Sequence, residues 1–247
     1  MNKSNIISAG LLVIGDEILS GRTADQNINF LAKNLSQIGI RLREVRVVGD
    51  FENEIIVAIN ELRKKFDYVF TSGGIGPTHD DITSLSIAKA FNQDLILNEI
   101  AHQILIQHYG ENNVNEARLK MAYLPRMASL LDNPISSAPG FRIENVFVMA
   151  GIPKIFQAMF EASKKELKLG CKIISREIKI SLTESVIAKD LTDLQSEYRE
   201  ISMGSYPFDG GTSLAFRGIE EKVLEEAFLK MQNLIIKIDS KAIIEIS

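Results

Sequence analysis

The chain of 247 residues contains no tryptophan, one cysteine and three histidines. The single cysteine, Cys171, excludes an internal disulfide and a metal cage built from cysteines, and we expect it to be a buried, inert thiol. No run of lysines and arginines stands out, and the net charge of −4 argues against a nucleic-acid-binding surface. The N-terminal apolar stretch is too short to span a membrane, and no small-residue cleavage site follows it, so we expect a cytoplasmic protein without a membrane anchor.

Three familiar motifs of phosphate-binding sites and nucleophiles are also missing. Gly10 to Gly15 has the GxxxxG spacing of a P-loop, but Asp16 and Glu17 occupy the positions where that loop carries its lysine and hydroxyl residue. No GxGxxG lies at a first strand–helix turn, and no GxSxG elbow occurs. A nicotinamide-binding Rossmann site and a serine hydrolase of the elbow class are therefore unsupported.

Alternating apolar strands and amphipathic helices predict an α/β fold. Apolar runs at Ile6–Ile14, Leu42–Val48 and Phe66–Thr71 predict three strands, separated by predicted helices at Thr23–Ile38 and Glu52–Lys65. The first run is apolar almost throughout, which is typical of a strand buried on both faces of a parallel sheet. Strands that alternate with helices favour right-handed βαβ units with helices on both faces, and hence a three-layer αβα domain.

The later part of the chain predicts a change of architecture. Four further elements complete the first domain: a peripheral helical region at Asn98–Tyr123, a turn at Ser137–Phe141, a strand at Val146–Met149 and a helix at Lys154–Leu167. After about residue 170 the order becomes β, α, β, β, α, β, which is the order of a ferredoxin-like α+β unit. We therefore predict one domain at 1–168 and a smaller α+β domain at 169–247.

The most informative segment is TSGGIGPTHDDIT (71–83), which lies between a predicted strand and a predicted helix. Its glycines permit positive φ and close approach of a ligand, and the amides and dipole of the following helix favour an anion. These features are typical of a phosphate cradle, yet Asp80 and Asp81 in the same loop would repel a bare phosphate. A divalent cation between the carboxylates and the phosphate would reconcile the two.

Acidic side chains follow the first three predicted strands: Glu17 follows the first, Asp50 the second and Asp81 the third. Ligands of open α/β sheets bind outside the carboxyl ends of the strands, so we predict that these carboxylates converge on one metal ion and its bound phosphates. Each has a simpler explanation too, as a helix cap for Glu17 or Asp81 and as a turn residue for Asp50. The neighbouring Asp16 and His79 are weaker candidates.

These segments resemble the signature of the molybdopterin-binding (MoaB/Mog-like) fold, written loosely GGxGxxxxDxT. More closely, the chain resembles the CinA N-terminal family of competence/damage-inducible proteins and the molybdopterin-binding-like domain of eukaryotic FAD synthase. The segments that carry this likeness are GDEILSGRTADQN (15–27), GGIGPTHDDIT (73–83), PGF (139–141), GIP (151–153) and MGSYPF (203–208). The likeness therefore extends over nearly the whole chain.

The resemblance implies a metal-dependent nucleotide pyrophosphatase, a hydrolase that cleaves the phosphoric anhydride of ADP-ribose or FAD. It implies that Glu17, Asp50 and Asp81 are both the catalytic and the metal-binding residues. It also implies a set of phosphate-binding residues, namely Gly73, Gly74, Gly76, Thr78 and Thr83. The expected cofactor is Mg²⁺, Mn²⁺ or Co²⁺, with K⁺ as a further candidate. The expected partners are a small-molecule nucleotide substrate and other copies of the chain in a homo-oligomer, with neither nucleic acid nor membrane.

Two other functions stay open on this scaffold. One is adenylyl transfer to molybdopterin in molybdenum cofactor biosynthesis, for which the same cradle and metal would serve. The other is a non-catalytic module that binds a nucleotide or a pterin. Synthesis of FAD by this chain is not expected, because the SGGxDS-type loop of the adenylyltransferase domain is absent and Ser72-Gly73-Gly74 resembles it only superficially.

Overall fold

The computed structural model describes residues 7–247. The chain divides into two compact units, Met1–Gly170 and Cys171–Ser247. Ile6, the first residue of the first predicted strand, lies outside the described residues. Within residues 7–247, no helix is both long enough and apolar enough to cross a membrane.

The first unit is built on a mixed sheet. Its strands are β1 (Ile7–Ile14), β2 (Ile40–Val48), β3 (Tyr68–Ser72), β4 (Leu95–Leu97), β5 (Tyr123–Pro125), β6 (Ser129–Leu131), β7 (Gly140–Ile143) and β8 (Val146–Met149). Its helices are α1 (Asp16–Leu19), α2 (Asn27–Gln37), α3 (Glu52–Lys65), α4 (Thr83–Ala90), α5 (Glu99–Tyr109), α6 (Glu116–Lys120) and α7 (Pro153–Ser163), and 3-10 turns lie at Glu111–Asn113 and Lys164–Glu166. Six strands form the main sheet in the order β2-β1-β3-β8-β7-β6, and β4 pairs with β5 separately.

The central strand β1 is buried on both faces, as its apolar sequence predicts. Leu12 packs on one face with Ile59 and the rest of the apolar side of α3. Leu11 packs on the opposite face with Leu31 of α2 and Phe156 of α7. Two helical layers therefore enclose the sheet, and the predicted three-layer α/β fold is confirmed.

Two details of this unit differ from the prediction. Gly140–Ile143 forms β7, which pairs antiparallel with β8, so the predicted turn is wrong in its second half. The apolar side chain of Phe141 is buried in the core and accounts for the strand. The predicted helical region after Asn98 is interrupted, because Gly110 adopts φ +83° and ends α5.

The second unit has the order of elements that the sequence predicts. They are β9 (Ile174–Ile180), α8 (Glu184–Glu197), β10 (Ser202–Phe208), β11 (Gly211–Gly218), α9 (Glu221–Ile238) and β12 (Ile243–Ile246). The strands form an antiparallel sheet in the order β10-β11-β9-β12, which is the ferredoxin-like arrangement. Alternate strand residues such as Ile178 and Leu214 pack with Phe228 and Ile235 of α9.

Candidate functional site

The carboxyl ends of β2, β1 and β3 lie side by side, because these strands are parallel neighbours in the sheet. The amide of Gly15 donates to the carbonyl oxygen of Val48 at 3.1 Å, which ties the loop after β1 to the end of β2. The amide of Asp16 donates to Oδ2 of Asp50 at 3.0 Å. Asp50 is thus fixed against the loop that carries Glu17.

The turn after β3 requires glycine at two consecutive positions. Gly73 has φ +113°, and a Cβ atom there would lie 2.2 Å from the carbonyl oxygen of Ile14. Gly74 has φ +69°, and a Cβ atom there would lie 2.1 Å from Oγ1 of Thr83. The amide of Gly73 donates to the carbonyl of Met149 at 3.1 Å. The turn is therefore wedged between the ends of β1 and β8, where a side chain has no room.

Thr78 and Thr83, the two threonines predicted to bind phosphate, form hydrogen bonds within the loop. Thr83 is fully buried, and its hydroxyl donates to the carbonyl oxygen of Gly73 at 3.0 Å. The amide and hydroxyl of Thr78 donate to Oδ2 of Asp81, the amide at 2.8 Å. These hydrogen bonds stabilise the loop, and the contact with phosphate predicted for Thr78 and Thr83 stays a prediction.

The carboxylate of Asp81 closes the glycine-rich loop and does not cap α4. Helix α4 starts at Thr83, and its N-cap residue, Ile82, makes no side-chain cap. A Cβ atom on Gly76 would lie 2.7 Å from Oδ2 of Asp81, so the carboxylate packs directly on the loop backbone. Its other oxygen, Oδ1, has no hydrogen-bond partner among residues 7–247. Oδ1 is therefore the oxygen of Asp81 that can bind a metal ion.

One cavity of about 790 Å³ joins these groups. Six of the eight predicted site residues line it, namely Glu17, Asp50, Gly73, Gly74, Gly76 and Asp81. Thr78 and Thr83 do not line it. Asp80 adds a fourth carboxylate to the same wall. The cavity is within the range of volumes that bind nucleotide-sized ligands.

The carboxylates of this wall repel one another. Burial raises the pKa of the Asp50 carboxyl, the hydrogen bond from the Asp16 amide lowers it, and the charges of Asp16, Glu17 and Asp80 raise it. The net effect is a pKa above the ordinary value of 3.8. A bound cation would relieve this repulsion, and the oxygen donors suit a hard divalent ion.

The donor set fits a metal that is shared with a ligand better than a metal held by the protein alone. Within residues 7–247, no three His, Cys, Asp or Glu side chains are grouped closely enough to hold a metal ion. Glu17, Asp50 and Asp81 line one cavity without forming a closed cage. Mg²⁺ typically takes one or two carboxylates and completes its shell with phosphate oxygens and water.

The sequence analysis missed a buried asparagine that holds two of the loops together. Asn27, at the start of α2, is 2% exposed. Its Nδ2 donates to Oγ of Ser72 and to the carbonyl oxygen of Gly151, both at 2.8 Å. A Cβ atom on Gly151 would lie 3.2 Å from Cα of Gly73. The only signal for Asn27 in the sequence is its place at the end of the segment GDEILSGRTADQN.

Comparison with known proteins places this site in a family. The model of the family described as "Probable molybdopterin binding domain" matches residues 10–168. The chain belongs to this molybdopterin-binding family. A second model, "FAD synthase, middle domain", matches residues 172–242.

Two curated relatives and one solved structure illustrate the branch of the molybdopterin-binding family. The probable FAD synthase of Caenorhabditis elegans is 33% identical over 226 residues, which cover 81% of this chain and 44% of that protein. A competence-damage inducible protein of Clostridium botulinum is 33% identical over 251 residues, which cover 95% of this chain and 59% of that protein. The chain therefore spans about half the length of these relatives. The crystal structure of CinA from Thermoplasma acidophilum, whose function is described as unknown, superimposes with a TM-score of 0.61 and 35% identity, covering 64% of this chain and 98% of that one. These matches confirm the resemblance to CinA and FAD synthase.

Proposed function

We propose that this chain is a metal-dependent nucleotide pyrophosphatase that hydrolyses the phosphoric anhydride of ADP-ribose or FAD. The observation that carries the proposal is that Glu17, Asp50 and Asp81 line one cavity together with the tight glycine turn. A phosphate cradle beside several carboxylates is the arrangement that metal-assisted phosphoryl chemistry needs. The family match and the relatives named FAD synthase agree with a nucleotide ligand.

The residues divide into two roles in this proposal. Asp81 and Asp50 would hold a divalent ion of the Mg²⁺, Mn²⁺ or Co²⁺ type, Asp81 through Oδ1, which accepts no hydrogen bond from the described residues. That ion, when bound, would neutralise charge on the phosphate oxygens. The amides of the loop from Gly74 to Gly76 would donate to phosphoryl oxygens. Glu17, which is exposed at the cavity, would orient or deprotonate the attacking water.

Product analysis by chromatography tests the proposal. The protein is incubated with ADP-ribose and with FAD in Mg²⁺, Mn²⁺ or Co²⁺, with and without K⁺. We expect AMP with ribose phosphate from ADP-ribose, or AMP with FMN from FAD. The absence of AMP release with both substrates and all three metals would contradict the proposal.

The family description favours one second candidate, a role with molybdopterin. The cradle and metal described above would equally serve adenylyl transfer from ATP to the pterin. Incubation with ATP and molybdopterin distinguishes the two reactions. Adenylylated pterin without AMP release from ADP-ribose would support this candidate, whereas binding without any turnover would indicate a non-catalytic module.

A further inference from the structure

The wall of the cavity beside the acidic residues carries one cation. Among the described residues that line the cavity, Arg118 is the one lysine or arginine, against four carboxylates. It belongs to the short helix α6. Lys120 of the same helix donates from Nζ to the carbonyl oxygen of Thr78, so α6 is attached directly to the glycine-rich loop. The position of Arg118 is therefore coupled to that of the loop.

The guanidinium of Arg118 is held in place by two contacts, and no carboxylate of the described residues pairs with it. Its central carbon lies 4.1 Å from the centroid of the Tyr109 ring. Its Nη1 donates to the carbonyl oxygen of Asn113 at 2.7 Å. No carboxylate forms an ion pair with it within residues 7–247, whereas several other arginines, including Arg126 and Arg142, are paired. Both contacts orient the group, and neither neutralises its charge.

The donors that remain on Arg118 form a fork. Nε and Nη2 have no acceptor among residues 7–247, since the one hydrogen bond of this guanidinium uses Nη1. The Nε and Nη2 edge of an arginine is planar and matches two oxygens of one phosphate. The stack on Tyr109 fixes the plane of that edge, so less side-chain entropy is lost when a ligand binds.

We propose that Arg118, stacked on Tyr109, is a phosphate-recognition residue that selects substrates with a pyrophosphate group over uncharged nucleosides. This proposal rests on the proposed function, because it assigns the substrate phosphates to the same cavity. A pyrophosphate diester carries two negative charges, and the carboxylates repel both. A metal ion beside Asp81 offsets part of that repulsion, and Arg118 offsets the rest from the wall of α6.

Equilibrium binding tests this role separately from catalysis. The probes are adenosine and the methylene analogue of ADP-ribose, in which CH₂ replaces the bridging oxygen so that it is not hydrolysed. Isothermal titration with Mg²⁺ present compares the wild-type protein with Arg118→Gln, Arg118→Lys and the control Arg126→Gln. Arg126 is exposed, pairs with Asp94 at 3.0 Å and does not line the cavity.

We expect Arg118→Gln to weaken binding of the analogue about 10- to 100-fold, the range for a lost charge-assisted hydrogen bond. Arg118→Lys restores part of the affinity, because lysine keeps the charge and loses the fork. Adenosine binding stays unchanged in all variants, and Arg126→Gln behaves as wild type. Tyr109→Leu weakens binding of the analogue less than Arg118→Gln, and Tyr109→Phe has no effect, since only the ring face is used.

Three results of the binding experiment would overturn the proposal. They are wild-type affinity of Arg118→Gln for the analogue, an equal loss of adenosine binding in that variant, and no binding of the analogue to the wild-type protein. The binding experiment can fail or succeed independently of the cleavage experiment. Binding that depends on Arg118 in a protein that does not release AMP would retain this inference and reject the pyrophosphatase. AMP release that Arg118→Gln leaves unchanged in both KM and kcat would do the reverse.

Discussion

The two units differ in where their strands end, and this difference determines where a site can form. In the first unit β2, β1, β3 and β8 are parallel, so the loops after all four meet at one edge of the sheet. In the second unit every neighbouring pair is antiparallel, so the loops are divided between two edges. The parallel strand direction therefore brings the carboxylates and glycines of the first unit together in one cavity. The antiparallel sheet of the second unit does not bring its loops to one edge in this way.

The two units also differ in the space around their glycines with positive φ. Gly73 has φ +113° and is surrounded by backbone, whereas Gly210 of the second unit has φ +99° and no atom within 4 Å of a Cβ position. The first position needs glycine for space and for conformation, the second for conformation alone. Four substitutions, three of them paired with a control in the second unit, test how far the contrast extends.

The largest expected effect is on turnover. Asp81→Asn removes one charge from the carboxylate that closes the glycine-rich loop, and Asp209→Asn removes one from an exposed turn of the second unit. We expect Asp81→Asn to lower metal-dependent cleavage of ADP-ribose more than about 100-fold, since even outer-shell partners of metal ligands are worth roughly 10- to 100-fold. Asp209→Asn keeps full activity. Unchanged circular dichroism of both variants shows that the fold is intact, and wild-type turnover by Asp81→Asn would refute its role.

The next effect is on stability. Gly73→Ala is expected to cost about 2–6 kcal/mol, because backbone strain and overpacking each contribute about 1–3 kcal/mol. Gly210→Ala carries the strain alone and is expected to cost about 1 kcal/mol. Urea denaturation of the two variants measures the difference. Equal losses would mean that the enclosure of Gly73 by Ile14 adds nothing to the cost.

A smaller effect is expected at the buried asparagine. Asn27→Ala removes both hydrogen bonds that connect Ser72 and Gly151, and is expected to cost about 1–3 kcal/mol and to lower turnover. The control is Thr212→Val in the second unit, which removes the hydrogen bond from the hydroxyl of this buried threonine to the carbonyl oxygen of Leu182. It is expected to cost about 1 kcal/mol and to leave turnover unchanged. Full activity of Asn27→Ala would show that the loops do not need this connection.

The smallest effect concerns pH and Asp50. Because the folded state raises the pKa of this carboxyl, mainly by burial, it favours the protonated form more than the unfolded chain does. The stabilising contribution is therefore present below the ordinary pKa of 3.8 and is lost as pH rises through the folded value. Asp50→Asn should be more stable than wild type at neutral pH, with the advantage vanishing in acid, while its turnover falls. A thermal melting series across pH checks this, and a variant less stable than wild type at neutral pH would contradict it.

Local patterns made much of the fold predictable from the sequence. Glu52–Lys65 and Val146–Met149 were predicted with the bounds that the structure shows, because the first has apolar residues at helical spacing and the second is a continuous apolar run. The helix predicted at Thr23–Ile38 forms as α2 at Asn27–Gln37, and Gly39 follows it with φ +76°. The strand at Gly140–Ile143 was missed, because its four residues carry too little pattern to outweigh the turn residues before it.

The carboxylate positions and the glycine turn were also predictable, since parallel strands bring their carboxyl ends together. The hydrogen bonds that Thr78 and Thr83 make within the loop were not, because a hydroxyl can donate to a ligand or to its own loop and the sequence does not distinguish the two. Arg118 and Tyr109 come from the region without a motif, and only the folded chain brings them to the cavity. No local sequence pattern indicates tertiary contacts of this kind.

The most direct test of the central claim measures the affinity of the protein for Mn²⁺ with and without a pyrophosphate ligand. The electron paramagnetic resonance signal of free Mn²⁺ reports how much of the ion is bound. The claim is that Asp50 and Asp81 form an incomplete metal site that substrate phosphates complete. It predicts weak Mn²⁺ binding to the protein alone, tight binding when the methylene analogue of ADP-ribose is added, and loss of that gain in Asp81→Asn, with the analogue alone as the control. Equal Mn²⁺ affinity with and without the analogue, or a gain that Asp81→Asn retains, would contradict it.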